Sequence, residues 1–427
     1  MPKKELRFID LFAGIGGIRK GLELAAEEAG LTPICVFTSE IKPYAIKVLQ
    51  QNHPSETING DITAVDAANI PDFDVLCAGF PCQAFSAAGS RKGFADTRGT
   101  LFFDVERILK AKKPKGFILE NVEGLVNHDG GKTLKVIIEH LAAIGYNVTY
   151  AVLNSKYFGV PQERKRIYIV GTFNNVISLS QFPIVQHTLG DILESGLPTL
   201  NTKFTKLLLS KYTIPELYGK SVKDKRGGKD NIHSWDIDLK GETTKAEKAL
   251  LNQILTERRK KKWAEIYNID WMDGMPLTLE MIKSFYSGND LEELLSGLLK
   301  KGYVVFEHPK KKVTEVNEVG VASTRRIPDE TLPKGYNIVT GKLSFEINKI
   351  LDPNSIAPTL VAMDMQKLVV VDGEGLRRLT LREGLRLFGY PEGYSFDVTE
   401  KEGFDLLGNT VVVPVIKAVC SRLLKNI

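Results

Sequence analysis

The sequence predicts an α/β protein, a largely parallel sheet with helices on both faces, carrying a second, smaller domain as an insert. Three observations lead there. Short β-branched runs alternate with helical patterns over the first 175 residues. From about Phe182 this gives way to polar loops, basic residues and isolated short helices. The final segment, "NTVVVPVIKAVCSRLLKNI", is an apolar-faced helix, too apolar to hang free, and is expected to pack back onto the first domain.

The elements follow in order. "LRFIDLF" reads as the first strand, and "GIRKGLELAAEEAG" as a helix closed by Gly30. "PICVFTSE" and "KPYAIKVLQQN" are the next strand and helix. The strands "DFDVLCAGF" and "KGFILENV" flank a helix over "TLFFDVERILKA". "KTLKVIIEHLAAIG" is a helix with Gly145 as its C-cap, and "NVTYAVLN" and "RIYIVGTF" complete the series. Further on, "TTKAEKALLNQILTERRKKKWAEIY" begins with a capping box, Thr244 to Glu247, and reads as one amphipathic helix. Residues 277–308 read as two short helices and a strand, in outline like a small winged helix. "SIAPTLVAMDMQKLVVVDGEGLRRLT" reads as strands with turns.

A chain of 427 residues buries a large core and has room for two domains. With 43% hydrophobic and 26% charged residues, long disorder is disfavoured. No apolar leader opens the sequence and no run of 18 apolar residues follows, so secretion and membrane insertion are not expected. Cys35, Cys77, Cys82 and Cys420 show no CxxC spacing and the six histidines form no HxxH, which argues against a metal site or disulfide framework and for a reduced, cytoplasmic setting. The net charge is +5, yet Lys203 to Lys262 holds 16 Lys and Arg against 8 Asp and Glu. A basic segment in an otherwise near-neutral chain suggests a polyanionic partner, or simply a solvated lysine-rich face.

Several motifs carry chemistry. "DLFAGIGG" joins strand to helix, and Gly14, Gly16 and Gly17 let the backbone approach a ligand at a helix N-terminus. It is neither a P-loop, lacking GK[ST], nor the GxGxxG fingerprint, since Arg19 holds the third glycine position. Glu40 and Asp61 fall at later strand ends, where a carboxylate can hold ribose hydroxyls, so the set suggests an adenosine-containing cofactor without a triphosphate. Cys82, in "GFPCQAFSAAG", also follows a strand; Pro81 fixes the approach and the small residues after it leave the loop light. A thiolate there is a potential nucleophile, an inert cysteine the alternative. Glu120 in "ENV" suits proton transfer or, alternatively, a turn. Arg164 and Arg166 in "QERKRIYIVG" lie at i and i+2 on one face, able to hold a phosphate or ring carbonyl, or to form a surface cluster.

In order and spacing, "DLFAGIGG", "GFPCQAFSAAG", "ENV", "QERKRIYIVG", "RRLTLREGLRLFGYP" and "GNTVVVPVI" resemble the DNA cytosine-5 methyltransferases of bacterial restriction–modification type, over residues 6–175 and 376–427. The resemblance implies a class I, Rossmann-like S-adenosylmethionine-dependent domain with an inserted target-recognition domain: residues 1–181 catalytic, 182–375 recognition, and 376–427 returning to the catalytic domain. It implies that Phe12, Gly14, Ile15, Gly16, Gly17, Glu40, Ile41, Asp61, Ile62, Pro81, Leu101, Asn409 and Thr410 line the S-adenosylmethionine pocket, without a metal. Cys82 is then the nucleophile, Glu120 the group at cytosine N3, and Arg166 a contact to O2 with Arg164 beside it. Gln83, Ser86, Arg98 and Thr359 are the implied DNA contacts.

The chemistry agrees with these roles. Cytosine C5 takes a methyl group only after a thiolate adds to C6 and N3 is supported, and a duplex exposes C6 only once the base is flipped out. The implied partners are double-stranded DNA and an endonuclease reading the same site without forming a stable complex; the protein is expected to be a monomer. Thr359 and Leu360 match a Thr-Leu pair of the family's recognition domain, but Met363 to Gln366 stand where glycines are usual, so the recognition loop departs from the pattern. Two other readings are a tRNA cytosine-5 methyltransferase, which usually has a smaller insert, and a catalytically inactive DNA-binding homologue.

Overall fold

A computed structural model of the chain describes residues 4–80, 101–269, 274–316, 322–340, 345–362 and 364–427. Two compact units emerge: 1–194 with 352–366 and 379–427, and 195–351 with 367–378. The expected insert, 182–375, differs at both ends. Leu189 and Gly190 donate backbone hydrogen bonds to Ser355 and Pro353, and Glu163 to Ala357, which ties 182–194 and 352–366 into the first unit.

The first unit is built on a seven-stranded sheet. Its strands are β1 (Glu5–Leu11), β2 (Thr32–Ser39), β3 (Ile58–Asn59), β4 (Val75–Ala78), β5 (Gly116–Val122), β6 (Asn147–Asn154) and β7 (Lys165–Thr172). They lie in the order β3-β2-β1-β4-β5-β7-β6. The pairings are parallel except along β7, which runs antiparallel to both β5 and β6. The strand order reverses between β1 and β4, and ligands of open α/β sheets bind at such a reversal, off the carboxyl ends of the strands.

Alternation along each strand sends one set of side chains to each face. Ile9, Leu11, Leu76, Leu119 and Ile167 pack with Phe102, Val105 and Ile108 of helix α3 (Leu101–Lys112) and Ile137 and Leu141 of α4 (Lys132–Ala143). Helix α1 (Gly17–Glu28) packs against the helix Val413–Leu424, and α2 (Pro43–Asn52) follows β2. Gly21 makes that contact possible, because a Cβ there would stand 2.5 Å from Ile416 Cβ. The stretch Glu400–Leu424 is long and apolar enough to cross a membrane, but 72% of an 18-residue apolar window within it is buried inside the protein, as in a core helix.

The second unit has two cores. A five-stranded sheet encloses Phe204, Leu208, Ile347, Ile350 and Val369. A helical group, 245–338, encloses Trp235, Leu250, Ile254, Trp263, Leu295 and Tyr303. The single helix expected over 243–267 is two, Lys245–Glu257 and Lys262–Ile266. Arg258 stops the first: it is 1% exposed and donates to Asn337 Oδ1 at 2.8 Å and to the Lys225 carbonyl at 3.1 Å. The turn that follows brings Trp263 into the core.

Candidate active site

The loop leaving β1 has the backbone its glycines require. Phe12, Gly14 and Gly16 all have positive φ, of 55, 56 and 70°, and Gly16 leads into α1, whose N-terminus has no side-chain cap. Among the described residues, a Cβ at Gly14 would find no atom within 4 Å, so they leave open space above the loop. On the protein side the fit is close. A Cβ at Gly17 would stand 2.6 Å from Tyr390 Oη and 2.7 Å from Val411 Cγ2.

At the end of β2, Glu40 grips this loop. Its carboxylate accepts from the Gly14 N–H at 2.7 Å and from the N–H groups of Ile41 and Lys42 at 2.8 Å. Beside it Ile41 is 69% exposed, an apolar side chain presented to solvent. Asp61 caps a short turn, accepting from Thr63 N and Oγ1, and those two bonds hold its pKa below the usual carboxylate range. Ile62, next to it, is core. Asn409 donates to the Asp405 carbonyl at 2.8 Å, and Asp405 in turn pairs with Lys42 at 2.8 Å. The Thr410 hydroxyl lies 2.7 Å from Tyr390 Oη, and Leu101 opens α3 half-buried.

Glu120 ends up in β5 two residues from the strand's end, 8% exposed, with Arg166 diagonally across on β7. Arg166 Nε lies 3.2 Å from Glu120 Oε1. Burial pushes the Glu120 pKa up; Arg166 and then Arg164 pull it back only in part. Gly79 presents bare backbone here, since a Cβ on it would stand 3.7 Å from Glu120 Oε2. Pro81, Cys82, Gln83, Ser86 and Arg98 lie outside the described residues.

Arg164 is differently placed from Arg166. At 3% exposure it donates to the carbonyls of Leu360, Gly408 and Thr410 at 2.9, 3.0 and 2.9 Å, and stacks over the Phe388 ring at 5.3 Å. Burial, then Arg166, lowers its pKa to about 10. It clamps segments nearly 200 and 250 positions away instead of facing an open cleft. Thr359, the expected DNA contact, is exposed but its hydroxyl donates to the Glu163 carbonyl at 2.6 Å.

The sequence profile of the C-5 cytosine-specific DNA methylases matches residues 6–425. The chain belongs to that family. It is 62% identical to the type II methyltransferase M.NlaIV of Neisseria lactamica and 60% identical to M.NgoBV of Neisseria gonorrhoeae, each over 99% of this chain and all of the relative. Among solved structures, the S. pombe Dnmt2 methyltransferase shares the fold with a TM-score of 0.53 at 18% identity, over 98% of both chains. This DNA methylase is thus a cytosine-5 methyltransferase on a Rossmann-like α/β domain.

Some of the methylase's supporting residues carried no signal in the sequence. Arg107 of α3 donates to the carbonyls of Val65 and Ile62, fixing the Asp61 turn. Tyr394 donates to the Ile15 carbonyl at 2.6 Å, bracing the glycine loop from below. Arg19, which spoils the dinucleotide fingerprint, is buried and bonded to Glu23 and Glu56. Cys77 is fully buried in β4, its thiol pushed up by burial, which suits an inert core cysteine.

Asp10 of the methylase stands apart. It is 1% exposed, neither carboxyl oxygen has a hydrogen-bond partner among the described residues, and burial raises its pKa to about 8, against the pull of Arg19. A raised carboxyl favours the folded state fully only below the unfolded value of about 3.9, and that stability drains as pH rises to about 8. Asp10→Asn removes the drain. The variant should gain a few kcal/mol over wild type at pH 8 and much less at pH 5, read from urea melts. An equal effect at both pH values would show that the carboxyl ionises freely.

Proposed function

We propose that the chain methylates a cytosine within one short, specific sequence of double-stranded DNA, using S-adenosylmethionine, base flipping and a covalent bond between Cys82 and C6. The Glu120–Arg166 pair carries the reading: a buried carboxyl with a raised pKa beside a guanidinium, at the end of β5, with Gly79 leaving room in front.

The chain's own groups suit the cofactor. Gly14, Ile15, Gly16 and Gly17 offer backbone and open space, Phe12 turns the chain, and Glu40 and Asp61 offer carboxylates. Ile41 and Ile62 offer apolar surface, with Pro81, Leu101, Asn409 and Thr410 completing the set. When bound, S-adenosylmethionine supplies a methyl group made electrophilic by its sulfonium.

The remaining work falls to the protein. A flipped cytosine, extracted at a cost of a few kcal/mol, meets Glu120 at N3 and Arg166 at O2. The Cys82 thiolate forms a bond to C6 as Glu120 gives N3 its proton, and electrons from the C5–C6 double bond make C5 nucleophilic. After C5 is methylated, its proton passes to solvent, the C6–S bond breaks, the double bond returns and N3 releases its proton. Arg164 holds the segments around Leu360 and Thr410 instead of touching the base. Gln83, Ser86 and Arg98 approach the DNA, and the 195–351 unit with its basic first half reads the sequence. The protein is read as a monomer in a prokaryotic cytoplasm, protecting DNA from an endonuclease with the same target.

Bisulfite sequencing of plasmid DNA treated with purified protein and S-adenosylmethionine is the direct test. Protected cytosines confined to one short motif are expected. Complete conversion by a preparation that binds the cofactor would overturn the DNA reading. A duplex carrying 5-fluorocytosine at the target should form an adduct stable to denaturant, and its absence would remove the covalent step.

A further inference from the structure

Lys42 and Asp405 stand 363 positions apart in the chain, yet one carboxylate joins the turn after β2 to the helix Glu400–Asn409. Asp405 Oδ2 accepts from Lys42 Nζ at 2.8 Å and from Tyr44 Oη at 2.5 Å. Asn409, one helical turn on, donates its Nδ2 to the Asp405 carbonyl at 2.8 Å and approaches Oδ1 at 3.3 Å. Lys42 is held at both ends. Its backbone N–H donates to Glu40 Oε1 at 2.8 Å, while Glu40 Oε2 takes the Gly14 N–H at 2.7 Å. An unbroken run of hydrogen bonds therefore leads from the glycine loop through Glu40, Lys42 and Asp405 to Asn409, all within the first unit. Burial works to raise the Asp405 pKa, but the bonds from Lys42 and Tyr44 outweigh it and keep the carboxyl below its usual range.

Folding stability does not account for this run. Lys42 and Asp405 are 36% and 34% exposed, and an ion pair so open to water adds little to a fold. The elements have other anchors as well. At the far end of α2, Asn52 exchanges bonds of 2.8 and 2.9 Å with the Ser395 backbone, and Gln51 two of 3.2 Å with that of Asp397. Arg164 holds the carbonyls of Gly408 and Thr410. Those contacts fix backbone and do not reach the Asn409 amide; Asp405 does. An amide whose nitrogen is engaged on one side has its oxygen turned to the other, as an acceptor.

We infer that Asp405 is a positioning residue for S-adenosylmethionine: through Lys42 and Asn409 it presets the spacing between the Glu40 turn and the Asn409 side chain, across which the cofactor is held. This rests on the cofactor reading above. Groups fixed before a ligand arrives need not be ordered by it, and the saving appears as affinity. The probe is S-adenosylhomocysteine, titrated calorimetrically into the full-length protein. Asp405→Ala should weaken its Kd about 5- to 30-fold. KM for S-adenosylmethionine should rise alike, with kcat changed by less than about twofold. Asp405→Glu, which keeps a carboxylate facing Lys42, should recover part of the loss. If Asp405→Ala fails to fold, Lys42→Met with Tyr44→Phe cuts both bonds from the β2 side and should show the same weakening.

Gln51→Ala, at the far end of α2, should bind within about twofold of wild type. An equal loss in that variant would make the effect a general loosening of α2 and overturn the inference. So would an unchanged Kd in an Asp405 or Lys42–Tyr44 variant that melts like wild type, or an Asp405→Glu variant that recovers nothing. Failure of the wild type itself to bind S-adenosylhomocysteine would instead strike the cofactor reading, before any variant is compared.

Discussion

Glu120→Gln should lose about 10²- to 10⁴-fold in kcat while the protein melts at the same temperature or higher. The carboxyl is 8% exposed and burial holds its pKa up, so the ionised form is the costly one. Glutamine keeps the shape and the neutral charge but has no proton to give to N3. The pH dependence has a definite sign. The protonated fraction falls as pH rises through the raised value, so wild-type kcat/KM should decline on the alkaline side and the residual rate of the variant should not. Stability moves the same way with pH: a raised carboxyl stabilises fully below about 4.3 and loses that contribution as pH rises, a loss the variant escapes. Initial rates and melting curves at pH 6 and 8 test both. A variant that loses activity and several degrees of melting temperature together would make Glu120 a structural brace for the strand ends.

Arg164→Ala should cost about 3–5 kcal/mol, the largest stability effect expected from a single site. Three carbonyls, of Leu360, Gly408 and Thr410, lose their donor, and the Phe388 face loses its cation. Buried carbonyls left without partners cost about 1–3 kcal/mol each before relaxation. Arg164→Lys should recover only part, because an ammonium on a single stem does not span the fork. Chemical denaturation of the three proteins measures this directly. An alanine variant within about 1 kcal/mol of wild type would mean that water or neighbouring groups already serve those carbonyls.

The sheet was legible because its strands are buried runs separated by helices of ordinary length, and glycines mark the ends. Positions set by one segment alone also read well. Thr244 caps the helix that follows it, closing the expected box with Glu247. What separates Arg164 from Arg166 was not legible, since the carbonyls that hold Arg164 come from Leu360, Gly408 and Thr410. The break at Arg258 has the same origin: its partner Asn337 lies 79 positions on. The boundaries of the second unit depend on backbone pairings such as Gly190 to Pro353, which leave no trace in composition. The segment 277–308 declared two helices and a strand, and the structure has Leu279–Lys283, Leu291–Lys301 and Val304–Glu307 there.

The contact of Gly21 with Ile416 joins the beginning of the chain to its far end. During translation, at roughly 5–20 residues per second, the apolar stripe of α1 waits tens of seconds for its mate. Residues 195–351, nearly all of the other unit, emerge in between. The nascent protein therefore carries an unfinished catalytic half while the intervening half collapses, a state in which a chaperone would find purchase.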